Sequence, residues 1–389
     1  MQSRIIRLEI EKMKFPLNLP YITNYEKKFV NDVLNKNWLS VNGEYNKIFE
    51  KEFGKIINKK FNLSVQSGTA ALHLALKALN IKNKDYVICP NYSCSANINS
   101  ISQVKANPIL VEVESDTLGL DYEIVKKAIL KYKPKALQLV HVYGFPARDT
   151  IKIIKLCKAN KVYVIEDASE ALGAKINNRP VGSFGDISMV SLRSEKMIGV
   201  GEGAMISTNN KNIFEKINLL ACRNMPFRSK KDLYWKKYIS KGEGYNYLMP
   251  HILAAIGVGQ LKNLKNILDK KIKIGLYYRN EFNNFDFAQK INPKHKVVFW
   301  LNVINLNNYS KNKVRKLGNF LIKNGIEVRS GFWPLVNTPN INKIYLSNGI
   351  NHSKNFFEKF IVLPSNINLK LKDIKFIKKK VQEFFVKIN

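Results

Sequence analysis

Apolar residues in this chain gather into short continuous runs that alternate with longer stretches of helical spacing. This is the pattern of strands buried on both faces of an open sheet, with helices crossing between them. Residues 86–89, 137–141, 162–165 and 187–192 read as buried strands. Between the second and third of these, 152–160 reads as a crossover helix, which completes a βαβ unit with an expected right-handed connection. Upstream, a turn at Gly43 leads into an amphipathic helix with Ile48, Phe49, Phe53, Ile56 and Ile57 on one face. The segment SGTAALHLALKAL, 67–79, predicts a second helix, with Ser67 and Gly68 where an N-cap belongs. From about Asn263 a lysine-rich helix leads to a separate run of elements: a strand over 297–305, a helix to Asn324, a strand over 326–329 and a C-terminal amphipathic helix. At 389 residues the chain is long enough for a large core and a second, smaller domain.

Chemistry collects at the strand ends. The run 162–165 is followed at once by Glu166 and Asp167, and the run 187–192 carries Ser191. Five residues after that serine comes Lys196, in a loop that closes with the glycines of GVGEG. Ligands of open α/β sheets bind outside the carboxyl ends of the strands, so these groups are expected to face one crevice. A lysine whose amine can swing from a loop suits Schiff-base formation with a carbonyl cofactor such as pyridoxal phosphate. The pyridine nitrogen of that cofactor needs a buried carboxylate beside it, and Asp167 is placed for this. The free amides at the start of helix 67–79 make an anion site. With 64 lysines and arginines in the chain, Lys196 alone carries little weight; the order of acid, hydroxyl and lysine carries it.

The 64 basic residues face only 30 acidic ones, and a net charge of +34 raises nucleic acid or an anionic membrane as a partner. The lysines are spread along the chain among many asparagines and isoleucines, as AT-rich coding produces, and the densest run, 378–380, alternates with apolar residues. A solvated face therefore outweighs a nucleic-acid site. The positive field would still draw in a diphosphate substrate. No stretch approaches the roughly 20 uncharged apolar residues of a membrane span, and the N-terminus lacks a signal-peptide run. Cys89, Cys94, Cys157 and Cys222 lie scattered without CxxC spacing, so neither a metal site nor a disulfide framework is expected, and the chain reads as cytoplasmic.

The order EDASEALGA, GSFGDI, SLRSEK, GEGAMIST resembles the DegT/DnrJ-type sugar-nucleotide aminotransferases, pyridoxal-phosphate enzymes of fold type I, and the likeness runs from about Phe15 onward. It implies a large three-layer α/β/α domain with a mixed, mostly parallel sheet over 13–262, and a smaller C-terminal α+β domain over 263–389. Residues 1–12 precede the likeness, either as an extension or upstream of a start at Met13. On matching positions the resemblance makes Lys196 the catalytic Schiff-base lysine, sets Asp167 on the pyridine nitrogen and Glu170 near the phenolic oxygen, and gives the phosphate to Gly68, Thr69 and Ser191. Asn246, in the GYNY element, would cross a homodimer interface to the partner's phosphate, so that each active site is shared. Tyr143 and Gly144 would line the back wall, His141 would serve structure before proton transfer, and Arg329 would contact sugar or phosphate. Tyr234 and Trp235 resemble a tyrosine-tryptophan pair of one branch of the family.

Some positions depart from the family's pattern. Cys94 stands where an aromatic ring usually stacks on the cofactor; its sulfur, or Tyr92 from two residues away, would take that face. Asn97 would reach the ligands or cap the next helix. Leu192 and Arg193 stand near a usual aromatic, Ala204 replaces the second glycine of GEGG, Leu248 replaces an arginine, and Val336 replaces a histidine. The activity implied is transfer of an amino group from L-glutamate to a nucleotide-linked keto-sugar, with C4 of a GDP-4-keto-6-deoxy sugar in first place. The alternatives are a UDP- or dTDP-linked 3- or 4-keto hexose, a keto-octulosonate or nonulosonate, a pyridoxal-phosphate-dependent sugar dehydratase, and a non-catalytic cofactor-binding regulator. The dehydratase branch has histidine where this chain has Lys196, which favours amino transfer.

Overall fold

The computed structural model describes residues 13–226 and 238–387. The N-terminal extension and the Tyr234–Trp235 pair lie outside the described residues.

The buried runs become strands of one sheet. In chain order the first nine strands are β1 (Phe61–Val65), β2 (Tyr86–Pro90), β3 (Asn107–Val111), β4 (Ala136–Val140), β5 (Tyr163–Asp167), β6 (Lys175–Ile176), β7 (Arg179–Pro180), β8 (Ile187–Ser191) and β9 (Ala204–Thr208). They are followed by β10 (Asp286–Phe287), β11 (His295–Lys296), β12 (Asn302–Asn305), β13 (Ile344–Leu346) and β14 (Phe360–Leu363). The large sheet runs β1-β9-β8-β5-β4-β2-β3-β13, and β9 is antiparallel to both its neighbours while the other pairs are parallel. The mixed, mostly parallel sheet is as expected.

Helices cover both faces because successive side chains of a strand point opposite ways. Val87 and Cys89 join a core with Ala71, Leu74, Ile98 and Ile101, from α3 (Gly68–Ala78) and α4 (Ser95–Gln103); these follow α1 (Asn24–Asn35) and α2 (Glu44–Ile57). Ile88, between them, joins Ile124, Ile129 and Ile153 on the other side, from α5 (Tyr122–Tyr132) and α6 (Thr150–Ala159). Each such aliphatic side chain, fully buried, contributes roughly 1.5–3 kcal/mol of transfer free energy.

After α7 (Lys211–Ala221), the alanine-rich and lysine-rich segments form one helix of 31 residues, α8 (His251–Glu281), which contains the 262/263 position expected as a domain boundary. The end of α8 packs with α9 (Lys311–Lys323), α11 (Leu371–Lys387) and a second sheet, β10-β12-β14; the shorter α10 (His352–Lys359) precedes β14. The smaller α+β unit is thus present. One of its flanking segments nevertheless returns to the large sheet, where β13 pairs with β3.

Two expected strands are shorter than the apolar pattern suggests. Only 302–305 of the segment 297–305 forms a ladder. Phe299 adopts the left-handed region, φ 47°, and the backbone wraps the turn at Tyr143–Gly144 instead, with Val298 N donating to Gly144 O at 3.0 Å. Gly144 itself has φ 100°, and a Cβ there would lie 2.4 Å from Trp300 N, so both conformation and space require glycine. The segment 326–329 is reduced to isolated bridges, Ile326 to Phe15 and Arg329 to Val362. Buried Lys271 of α8 ties these crossings together by donating to Asn18 Oδ1, Trp300 O and Ser365 O at 2.9, 3.1 and 2.6 Å.

Candidate active site

Strand order reverses between β4 and β2, since the chain leaves β2 toward β3 and leaves β4 toward β5. A crevice outside the carboxyl ends is expected at such a switch point. A cavity of about 850 Å³ lies there, lined from the ends of β4, β5 and β8, from the loop after β2 and from the N-terminus of α3.

At its base, Asp167 is nearly buried, with Oδ1 accepting from Ser169 N at 3.0 Å and Oδ2 from Asn97 Nδ2 at 3.1 Å. Asn97 Oδ1 is buried without a hydrogen-bond partner among the described residues. Lys196 Nζ donates to Glu170 Oε1 at 3.0 Å and sits 3.9 Å from the centroid of the Trp300 ring. Glu170 Oε2 accepts from Tyr143 N at 3.0 Å. Burial pushes the Glu170 carboxyl up from its ordinary range, and the Lys196 ammonium beside it opposes that only in part.

On the wall formed by α3, Ser67 Oγ accepts from Ala70 N at 3.1 Å and Ser67 O accepts from Ala71 N at 3.0 Å. Helix geometry leaves the first-turn amides of Gly68 and Thr69 without intrahelical acceptors, aimed outward with the positive end of the dipole. Ser191 faces them: a Cβ on Gly68 would stand 3.6 Å from Ser191 Oγ. Two amides and a hydroxyl for a phosphate, a buried carboxylate for a protonated ring nitrogen, and an amine for an aldehyde are the donor set that pyridoxal phosphate requires, so the residues present fit it.

Gly68, Thr69, Cys94, Tyr143, Asp167, Glu170, Ser191, Lys196 and Arg329 all line this cavity. Cys94 is exposed there, at the N-cap of α4. Tyr92 does not line it: fully buried, its hydroxyl lies 3.1 Å from that of Tyr143 and accepts from Phe332 N at 3.1 Å, so its ring faces core aromatics. Asn246 is exposed outside the cavity, its backbone bridged to Cys222.

The reading of the sequence missed Ser169, Glu195, Trp300, Phe332 and Trp333, which also line the cavity. Ser169 was within reach of that reading, two residues beyond Asp167; its Oγ accepts from Ser191 N at 2.9 Å and so joins two strand ends. Trp300 and Phe332 come from distant segments and carry no local signal.

Glu166 departs from the expectation that both acids of the pair face the crevice. Strand alternation turns it to the opposite side, where Oε1 accepts from Gly182 N at 2.6 Å, and Oε2 accepts from Phe184 N at 2.7 Å and Gly185 N at 2.8 Å. His141, also fully buried, lies with Nε2 3.2 Å from Glu166 Oε1, and its Nδ1 accepts from Ala147 N at 2.9 Å, which places the ring proton on Nε2. His141 is therefore structural and does not line the cavity. Burial pushes the Glu166 carboxyl up, but the His141 contact and the amides outweigh it and hold the group below its ordinary value.

A carboxyl depressed on folding contributes stability above its unfolded pKa, about 4.3, and loses it as pH falls through the lower folded value. Glu166→Gln is expected to cost on the order of 3 kcal/mol at pH 7 and to flatten the acid limb below about pH 4. Thermal melts of both proteins across pH 3–7 read the two effects.

A profile of the DegT/DnrJ/EryC1/StrS aminotransferase family matches residues 20–382. GDP-perosamine synthase of Escherichia coli O157:H7 is 32% identical over 374 residues, 96% of this chain and 99% of that protein. GDP-perosamine synthase of Vibrio cholerae is 34% identical over 353 residues, 90% of this chain and 93% of that protein. Among solved structures, Helicobacter pylori PseC, an aminotransferase involved in the biosynthesis of pseudoaminic acid, superposes with a TM-score of 0.86 at 25% identity, covering 96% of this chain and 99% of its own. No described helix is long and apolar enough to cross a membrane. The chain belongs to the DegT/DnrJ/EryC1/StrS aminotransferase family, as a sugar aminotransferase whose cofactor is pyridoxal phosphate.

Proposed function

We propose that this enzyme moves an amino group from L-glutamate to C4 of a GDP-linked 4-keto-6-deoxy sugar. The observation that carries the reading is Lys196, held between the Glu170 carboxylate and the Trp300 ring in the cavity that also contains Asp167. The GDP-linked sugar is favoured by the likeness to GDP-perosamine synthases over nine-tenths of the chain or more.

Bound in the cavity, pyridoxal phosphate supplies an aldehyde that exchanges amino groups and a ring that delocalises negative charge from the reacting carbon. Gly68 N, Thr69 N and Ser191 Oγ would fix its phosphate. Asp167, itself oriented by Asn97 and Ser169, would keep a proton on the ring nitrogen by its charge. Lys196 Nζ, once displaced by the donor, would take the proton from the donor's α-carbon and later deliver one to the sugar carbon. Glu170 would steady that amine by the contact seen at 3.0 Å. Tyr143, Trp300 and Phe332 stack as an aromatic wall of the cavity, with Tyr143 and Phe332 centroids 5.4 Å apart.

The working unit would be a cytoplasmic homodimer with shared sites. Asn246 lies outside its own chain's cavity, where a partner could receive it. Leu19, Ile22, Tyr25, Leu34, Trp38 and Leu39 are large exposed apolar residues on and beside α1, a surface that a second copy would cover.

The test is 2-oxoglutarate release from L-glutamate with a panel of GDP-, UDP- and dTDP-linked 3- and 4-keto sugars. The GDP-linked 4-keto-6-deoxy sugar should give the highest kcat/KM, with ping-pong kinetics. Preference for a UDP or dTDP sugar would refute the nucleotide, and no turnover with any member would refute the reaction.

A further inference from the structure

Five charged side chains form a line across the mouth of the cavity. Arg193 Nε donates to Glu202 Oε1 at 3.2 Å, and Arg193 Nη1 lies 3.5 Å from Glu195 Oε1. Arg329 Nη1 donates to Glu195 Oε2 at 3.2 Å, and Arg329 Nη2 donates to Glu327 Oε1 at 3.2 Å. All but Glu327 line the cavity. Of the four that line the cavity, two are acids and two are arginines, so in a protein of net charge +34 the cations at this edge of the site are already paired.

Glu195 is the shared member of this line. Its backbone oxygen accepts from Asn18 Nδ2 at 2.6 Å and from Trp300 Nε1 at 2.8 Å, which fixes the peptide just before Lys196 and leaves the carboxylate free to move on its own side chain. The carboxylate spans both arginines that face the cavity. Arg329 is about half exposed and Glu195 a quarter exposed, so the pair is of the solvated kind, worth roughly a few-fold in an equilibrium constant. A ligand carrying more concentrated negative charge can displace it.

We propose that Glu195 is a positioning residue for anion recognition: its carboxylate holds Arg193 and Arg329 in register and yields them to the anionic oxygens of an arriving ligand. The inference rests on reading the cavity as the site of a nucleotide-sugar aminotransferase, which offers two such ligands, the diphosphate of the sugar and the carboxylates of the amino-acid donor. Arginine suits both through its forked donors. Glu195 thereby makes the entrance selective, because a weakly charged or singly bound anion gains too little to replace it.

The test uses the cofactor-loaded enzyme and isothermal titration with inorganic pyrophosphate and, separately, glutarate. Glu195→Gln keeps the shape and the backbone contacts, and is expected to tighten pyrophosphate about three- to tenfold, since two solvated pairs are released. Glu195→Ala should give a gain in the same direction, and damage to the fold would not tighten binding. Arg329→Gln combined with Glu195→Gln should lose the gain. Tightening of pyrophosphate assigns the displacing group to the diphosphate, and tightening of glutarate assigns it to the donor. Unchanged or weaker binding of both, or a gain that survives Arg329→Gln, overturns the proposal. The readout needs no turnover, so failure of the sugar panel and failure of this inference are separate results.

Discussion

Lys196→Ala is expected to lower turnover by at least about 10³-fold and to abolish the visible band of lysine-bound cofactor while leaving the fold intact. The side chain is mostly covered, with its amine between Glu170 and Trp300. Alanine removes both the covalent anchor and the proton carrier. Lys196→Arg separates those roles from simple charge: the guanidinium can still pair with Glu170, yet it neither bonds to an aldehyde nor releases a proton near neutrality. Both variants should therefore be inactive in single-turnover assays with L-glutamate. A Lys196→Arg protein that kept a tenth of wild-type activity would show that Lys196 supplies only a positive charge.

Asp167→Asn should lower kcat/KM by about 10²- to 10³-fold, the scale seen when one preorganised electrostatic contact is removed from a site. The charge that would hold the ring nitrogen protonated is gone. Local geometry adds a second effect. Both carboxylate oxygens accept hydrogen bonds, from Ser169 N and Asn97 Nδ2, and an amide can accept at only one of them. One buried donor then meets an NH₂ group, at a cost of roughly 1–3 kcal/mol. A modest fall in melting temperature should accompany the large loss of activity. Asp167→Glu keeps the charge and should recover part of the rate but not the geometry. Equal activity of wild type and Asp167→Asn would remove Asp167 from the mechanism.

The two substitutions bracket the part of the site that is local in sequence. Asp167, Glu170, Ser191 and Lys196 lie within a thirty-residue stretch of strand, turn, strand and loop. Their convergence follows from β5 and β8 being parallel neighbours. The Ser67 cap and the start of α3 were legible for the same reason, since a cap is an interaction between a side chain and an amide three residues away.

The mixed sheet was implied by the family resemblance; what the sequence by itself determined is the alternation of buried strands and helices, a separate C-terminal run of elements, and the acid, hydroxyl and lysine at the strand ends. These rest on short-range periodicity: strands covered on both faces need continuous apolar runs, and nothing distant alters that need. Only the tertiary structure decided that Glu166 turns away to His141, that Trp300 covers Lys196, that Arg329 shares Glu195 with Arg193, and that β13 returns to the large sheet. The apolar run at 297–301 read as strand, but its close approach to Gly144 and the left-handed Phe299 make it a wrap around another segment. The Glu166–His141 contact spans 25 positions; the approach of Trp300 to Lys196, of Arg329 to Glu195, of β13 to β3 and of Phe299 to Gly144 joins residues more than a hundred positions apart, where burial area and steric fit select one arrangement and local propensity is silent.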